Sequence, residues 1–304
     1  MKIVTTTGDF EKYFDNDADR IREIHRAGFK YVDLSLYSVE HVNRVYNDTD
    51  FNSEIEKLCE LANELGISFL QAHLPGGNPL LKNEKWEDYL RATLRSIEIC
   101  GMLGIKNAVI HAGWQKGLKK IEWQIANREF LGLLIPELEK WGVNILIENS
   151  TRVNMGDLYY VNSGKELLEF VEFADHPLVH ACWDTGHANC EGNQYDDILT
   201  LGEHLYGIHY NDNRGKRDEH LAPYMGTLNH DEVISALIDS KYKGHFTLEC
   251  CSSFTPAKYW LGDRKSFEKK QRLSEPPLFM QQKMEELLYQ TAKHLLSEYD
   301  LLEK

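Results

Sequence analysis

The stretch VHACWDTGHANC, residues 179–190, decides how this chain is read. Val179 to Trp183 form a short, mostly apolar run that does not alternate with polar residues. A half-exposed strand would alternate, so the run reads as a strand covered on both faces, as in a parallel sheet. It stops at Asp184, and His187 follows three residues later. An acid and an imidazole at the end of a buried strand either tie down a turn or hold something.

Seven further runs of this kind recur through the 304 residues. They are 2–7, 31–36, 68–73, 107–113, 144–150, 205–212 and 245–250, with the run above extending over 178–184. Amphipathic segments lie between them. Ile21, Ile24 and Ala27 are at helical spacing before Gly28, and Ile55, Leu58, Leu61, Ala62 and Leu65 before Gly66, each glycine a stop signal. Helical patterns also fill 84–103, 119–141, 163–174, 192–203, 230–240 and 278–298.

Eight strands alternating with eight helices predict a parallel sheet with right-handed crossovers. The number eight favours closure into an α/β (β/α)8 TIM barrel, and the chain length suits one such domain spanning 1–304. No glycine-rich nucleotide fingerprint follows any strand, which removes the main argument for an open nucleotide-binding sheet. One connection, 252–277, is long, aromatic-bearing and locally basic, and in a barrel it would sit on the catalytic face as a lid or a surface loop.

A net charge of −14 counts against nucleic acid as a partner, because phosphate backbones are bound by clustered Lys and Arg. No run of 18 apolar residues suggests a membrane span, and the N-terminus carries no secretion signal. The six cysteines form no CxxC pair and read as reduced thiols, so a cytoplasmic location is expected. The sequence leaves oligomeric state open, and a homo-oligomer is compatible with it.

In a barrel of this type the active site is built at the C-terminal ends of the strands. The third run ends in His73, the fourth carries His111, the fifth Glu148 and the sixth Asp184 with His187 just after. The seventh carries His209 and the eighth Glu249. Each alone has a bland explanation as a hydrogen-bonded or salt-bridged residue. Together, Glu148, Asp184, His209 and Glu249 would converge on the barrel axis. Carboxylates gathered without a counter-charge repel and take up protons, and a divalent cation resolves this. The four residues therefore read as a metal site. Mixed carboxylate and imidazole ligands suit manganese, magnesium, cobalt, iron or zinc. His73, His111, His187, and Asp218 with His220 in RDEHL form a second set, either a further metal site or a substrate-binding shell. Arg214 and Arg217 are candidates to hold a distal group of a ligand, Trp114 and Trp183 to stack on its apolar face, with core packing the expected role of Trp183.

These motifs resemble the xylose-isomerase-like TIM barrel superfamily, which includes sugar phosphate isomerases/epimerases and endonuclease IV. IENS with Glu148, DTGHAN with Asp184 and His187, IHYND with His209, and LEC with Glu249 look like that superfamily's metal-site motifs. The resemblance implies a divalent ion, manganese first and zinc, magnesium or cobalt as alternatives, held by Glu148, Asp184, His209 and Glu249. It implies that Glu148 and Glu249 act as the acid/base pair of an isomerase or epimerase working on a keto-sugar or polyol by enediolate-type proton transfer. His187 would contact substrate oxygens. A metal-dependent dehydratase or lyase would use the same parts. The chain is also similar to endonuclease IV, which binds three zinc ions through His, His, Glu, Asp, His, His, Asp, His and Glu. His73, His111, Glu148, Asp184, His187, His209, Asp218, His220 and Glu249 stand here in that order, so a zinc phosphodiesterase is the competing expectation.

Overall fold

Both faces of each strand are covered in this protein, and that determines where every side chain goes. The strands are β1 (Ile3–Thr6), β2 (Tyr31–Ser35), β3 (Ser68–His73), β4 (Asn107–Ile110), β5 (Asn144–Glu148), β6 (Val179–Asp184), β7 (Leu205–His209) and β8 (Phe246–Leu248). All pair in parallel, in the order β7-β6-β5-β4-β3-β2-β1-β8. The seam between β7 and β8 is closed by a parallel bridge between Tyr210 and Leu248. There Tyr210 donates to the Thr247 carbonyl at 2.7 Å and Glu249 donates to the Tyr210 carbonyl at 3.2 Å. The expected (β/α)8 barrel is what this computed structural model contains; it describes residues 1–192, 194–251, 253–254 and 276–303. The 252–277 connection lies largely outside the described residues.

The surrounding helices begin and end where the sequence punctuates them. In α1 (Asp17–Ala27) the Asn16 side chain accepts from the Asp19 amide at 2.9 Å, and Gly28 leaves the helix at φ 107°. A left-handed residue there spares the last carbonyls without a Cβ penalty. Then come α2 (Val39–Val45), α3 (Phe51–Leu65), α4 (Trp86–Leu103), α5 (Lys120–Trp141), α6 (Arg152–Met155) and α7 (Gly164–Ala174). After them lie α8 (Thr185–Glu191), α9 (Tyr195–Leu201), α10 (His230–Asp239) and α11 (Leu278–Glu298). The short helices α2, α6 and α8 were not in the sequence reading, because each is too brief to show a helical period. The described helices include none long and apolar enough to cross a membrane.

Successive strand residues point to opposite faces, and here the two faces have different partners. Ala108, Ile110, Ile145, Ile147, Ala181 and Trp183 belong to the main core between sheet and helices. Val109, Leu146 and Cys182 form a separate small cluster inside the barrel. Two residues beyond each of these three, on the same inward face, come His111, Glu148 and Asp184. The period of two therefore carries the polar residues to the top of the interior.

Only the third run, 68–73, keeps its bounds; the fourth and seventh stop earliest, each three residues before the expected end. The fourth stops at Ile110 rather than 113, because Asn127 of α5 captures the Gly113 amide at 2.6 Å and Trp123 donates to the Gly113 carbonyl at 2.7 Å. The seventh stops at His209, beyond which Tyr210 and Asp212 make only isolated bridges.

Gly186 at the start of α8 packs under the seventh strand's loop. A Cβ built on it would lie 1.9 Å from Asn211 Oδ1, and Asn211 in turn donates to Asp184 Oδ2 at 2.7 Å. Gly186→Ala is therefore expected to lower stability by about 1–3 kcal/mol, the usual cost of overpacking. Urea unfolding checks this, and a loss below about 0.5 kcal/mol would match an ordinary surface change instead.

Candidate metal centre

The Glu148 carboxylate, 2% exposed, lies at the centre of the strand-end cluster. Its Oε1 is 2.8 Å from His209 Nδ1 and 3.9 Å from His187 Nδ1. Its Oε2 is 3.4 Å from Nε2 of both His73 and His111. Glu249 Oε2 approaches His209 Nδ1 at 3.2 Å. His73 uses its other nitrogen on the Leu74 carbonyl at 2.8 Å, which turns Nε2 towards Glu148.

Asp184 has two tasks. Its Oδ1 accepts from the His187 amide at 2.6 Å, so it caps α8, and its Oδ2 is held by Asn211. The alternatives posed by the 179–190 stretch are thus both realised: the acid ties down a turn and also faces the cluster. Ligand atoms of Glu148, Asp184, His209 and Glu249 all lie within 4.8 Å of one another. The same holds for His73, Glu148 and His209.

His187, Asp218 and His220 form a third such group. His187 Nε2 and His220 Nε2 each stand 3.1 Å from an oxygen of Asp218, and Asn154 of α6 donates to that carboxylate at 2.8 Å. Asp218 and His220, two residues apart, thus meet each other, with His220 in a left-handed backbone conformation at φ 46°. His220 Nδ1 also lies 3.6 Å from Glu249 Oε2, linking this group to the first.

Burial opposes ionisation of Glu148, but the charges of His209 and His111, the hydrogen bond from His209 and the approach of His73 hold its carboxyl well below the usual range. Glu249 goes the other way: burial and the Glu148 charge raise it, against His209 and His220. Burial together with neighbouring imidazoles lowers His111 to about 4. Burial would lower His187 as well, but Asp184, Asp218 and Glu148 raise it to about 10.

The donor set fits a divalent cation. Three carboxylates and an imidazole converge in a buried space, and Glu148 Oε2 and His187 Nδ1 are buried without a hydrogen bond. Above them opens a cavity of about 530 Å³, which Tyr37, Trp114, Asn154 and Tyr159 help to line. Among its described lining residues there is no Lys or Arg.

The two arginines singled out from sequence do not reach this cavity. Arg214 is exposed and pairs with Glu219 at 2.6 Å, and Arg217 is exposed and absent from the lining. Both lie in a loop that keeps long cations in water. Trp183 is fully buried and donates to Gln194 Oε1 at 3.0 Å, a packing role. The sequence reading missed Asn211, Asn154, Tyr37, Asp33 and Gln71. Asp33 in YVDLSL and Gln71 in SFLQAH were detectable as polar residues inside apolar runs.

Residues 21–270 match the family described as xylose isomerase-like TIM barrel. An uncharacterised protein of Methanocaldococcus jannaschii is 28% identical over 204 residues, 64% of this chain and 68% of the relative. D-psicose 3-epimerase from Clostridium cellulolyticum H10 superposes with a TM-score of 0.73 at 17% identity, covering 97% of this chain and 99% of that one. The IOLI protein with a bound zinc atom superposes at 0.70 and 17% identity, over 98% and 97%. The 3-keto-D-glucoside 4-epimerase of E. coli gives 0.65 at 18% identity, over 82% and 92%. At these identities the structural likeness speaks for the fold. The sequence match covers most of the chain, and on that ground the protein belongs to the xylose isomerase-like TIM barrel family.

Proposed function

We propose that the protein is a divalent-metal-dependent isomerase or epimerase acting on a keto-sugar or related polyol. The observation that carries this is the convergence of Glu148, Asp184, His209 and Glu249 at the base of a cavity of about 530 Å³. That volume suits a small ligand. Likeness in fold to sugar epimerases supports the same reading.

An ion held by Glu148, Asp184, His209 and Glu249 would polarise the substrate carbonyl and stabilise charge as a proton leaves the adjacent carbon. One of Glu148 and Glu249 would take the proton from carbon and the other would return one. Return to the opposite face of the same carbon gives an epimer, and return to the neighbouring carbon an isomer. His187 stays protonated at neutral pH and can donate to a substrate oxygen. Tyr37 packs edge-on against His73 and His111, with ring centroids 5.1 and 6.3 Å away, which closes one side of the site.

A second reading rests on the His187–Asp218–His220 group, which offers a further cation site beside the first. With it, the nine residues in endonuclease IV order would serve a zinc phosphodiesterase. The net charge of −14 weighs against a DNA substrate.

Elemental analysis of protein purified without added metal separates the two. Sugar chemistry at Glu148, Asp184, His209 and Glu249 predicts one divalent ion per chain and no cleavage of abasic duplex DNA. Three zinc ions with strand cleavage would replace it by the phosphodiesterase. On whichever ketohexose wild type converts, Glu148→Gln should lose at least about 100-fold in turnover, the usual yield of a positioned acid/base group. Deuterium wash-in from heavy water should fall with it. Full exchange in the variant would remove Glu148 from the role of base.

A further inference from the structure

Asp33 interrupts the apolar run of β2 with an acid that is 1% exposed and faces the barrel interior. Its Oδ2 accepts a hydrogen bond from Gln71 Nε2 at 2.9 Å, and its Oδ1 has no partner. Among the described residues no Lys or Arg pairs with it. The cationic group facing it is His209, whose Nε2 stands 3.6 Å from Oδ2 and makes no hydrogen bond of its own. The opposite nitrogen of the same ring, Nδ1, faces Glu148 and Glu249 at 2.8 and 3.2 Å. The imidazole therefore spans from Asp33 below to the carboxylate pair above.

Three strands supply this arrangement. Asp33 comes from β2, Gln71 from β3 and His209 from β7. Gly207, two residues before His209 on the same inward face, makes it fit. A Cβ on Gly207 would lie 2.8 Å from Gln71 Oε1 and 2.7 Å from Leu146 Cδ1. A glycine inside a strand often marks such a close approach.

A buried carboxylate must be compensated, and an imidazole can offer a lone pair at one nitrogen only while its proton sits on the other. We propose that Asp33, steadied by Gln71, is a positioning residue for the metal centre: when a cation replaces the proton that Nδ1 shares with Glu148, the charge of Asp33 keeps the remaining proton of His209 on Nε2 and so leaves the Nδ1 lone pair to the cation. The inference rests on the metal site proposed above. It adds a residue from outside the ligand set, on a strand that contributes no ligand. Outer partners of this kind set the orientation and basicity of histidine ligands.

The test compares wild type, Asp33→Asn and Gln71→Leu as full-length chains, stripped with a chelator and titrated with Zn²⁺ and Mn²⁺ by calorimetry. Asp33→Asn should bind about 10- to 100-fold more weakly, and Gln71→Leu less weakly than that. In ¹⁵N-histidine-labelled, zinc-loaded wild type, one ring should show a metal-bound Nδ1 and a protonated Nε2, a pattern lost in Asp33→Asn. A purely structural role would lower the melting temperature of the metal-free variant and leave the affinity of its folded fraction unchanged. Equal affinities and an unchanged histidine spectrum would overturn the role of Asp33 while leaving the metal site standing. Wild type that takes up neither ion would overturn both. If Asp33→Asn does not fold, Gln71→Leu decides alone, and wild-type affinity in it counts against the proposal.

Discussion

Glu148 is a carboxylate buried in the middle of a protein, and the upper half of the barrel is arranged around that fact. A lone buried charge is costly, and removing one partner of a buried pair is strongly destabilising. His73, His111, His187 and His209 meet this requirement from four directions. They come from β3, the end of β4, α8 and β7, so they can gather only once the sheet has closed. Closure in turn depends on the narrow seam at Tyr210, whose backbone bond to Glu249 also fixes the second carboxylate.

The two faces of the sheet divide the labour. The outer face, packed on the helices, is a continuous apolar core that includes Ile145, Ile147, Ala181 and Trp183. The inner face holds a small apolar plug, Val109, Leu146 and Cys182, beneath a polar layer. Stability is concentrated outside and chemistry inside, and the strand period keeps them apart. The polar layer is tied together by side-chain amides as much as by charges. Asn149 holds the Asp184 backbone on both sides, Asn211 its carboxylate, Asn154 the Asp218 carboxylate and Gln71 the Asp33 carboxylate. Such amides orient acids without neutralising them, which leaves the acids free to act on a cation.

Much of this was legible in the chain. The non-alternating runs announced strands buried on both faces, and their number announced the barrel. The residues that end or follow the runs include Glu148, Asp184, His209 and Glu249, which the fold brings together. Other features lay beyond that reading. Strand ends were placed too far along at 107–113 and 205–212, because an apolar pattern continues where hydrogen-bond pairing has already stopped. Arg214 looked available in sequence, but Glu219 five residues away claims it. Asp33 and Gln71 looked like isolated polar residues, because nothing local connects β2 and β3 to His209.

The sequence by itself determined which residues stand near strand ends and which face each presents, because both follow from a period of two and from apolar content. Tertiary structure alone decided which nitrogen of His209 looks up at the carboxylates and which looks down at Asp33. It also decided that Asp184 both caps α8 and faces the cluster, and that Glu148 and Glu249 differ in their hold on a proton. Those properties depend on distances between strands far apart in the chain. Electrostatic interaction in a buried space is set by such distances and by exclusion of water, neither of which is written in the order of residues.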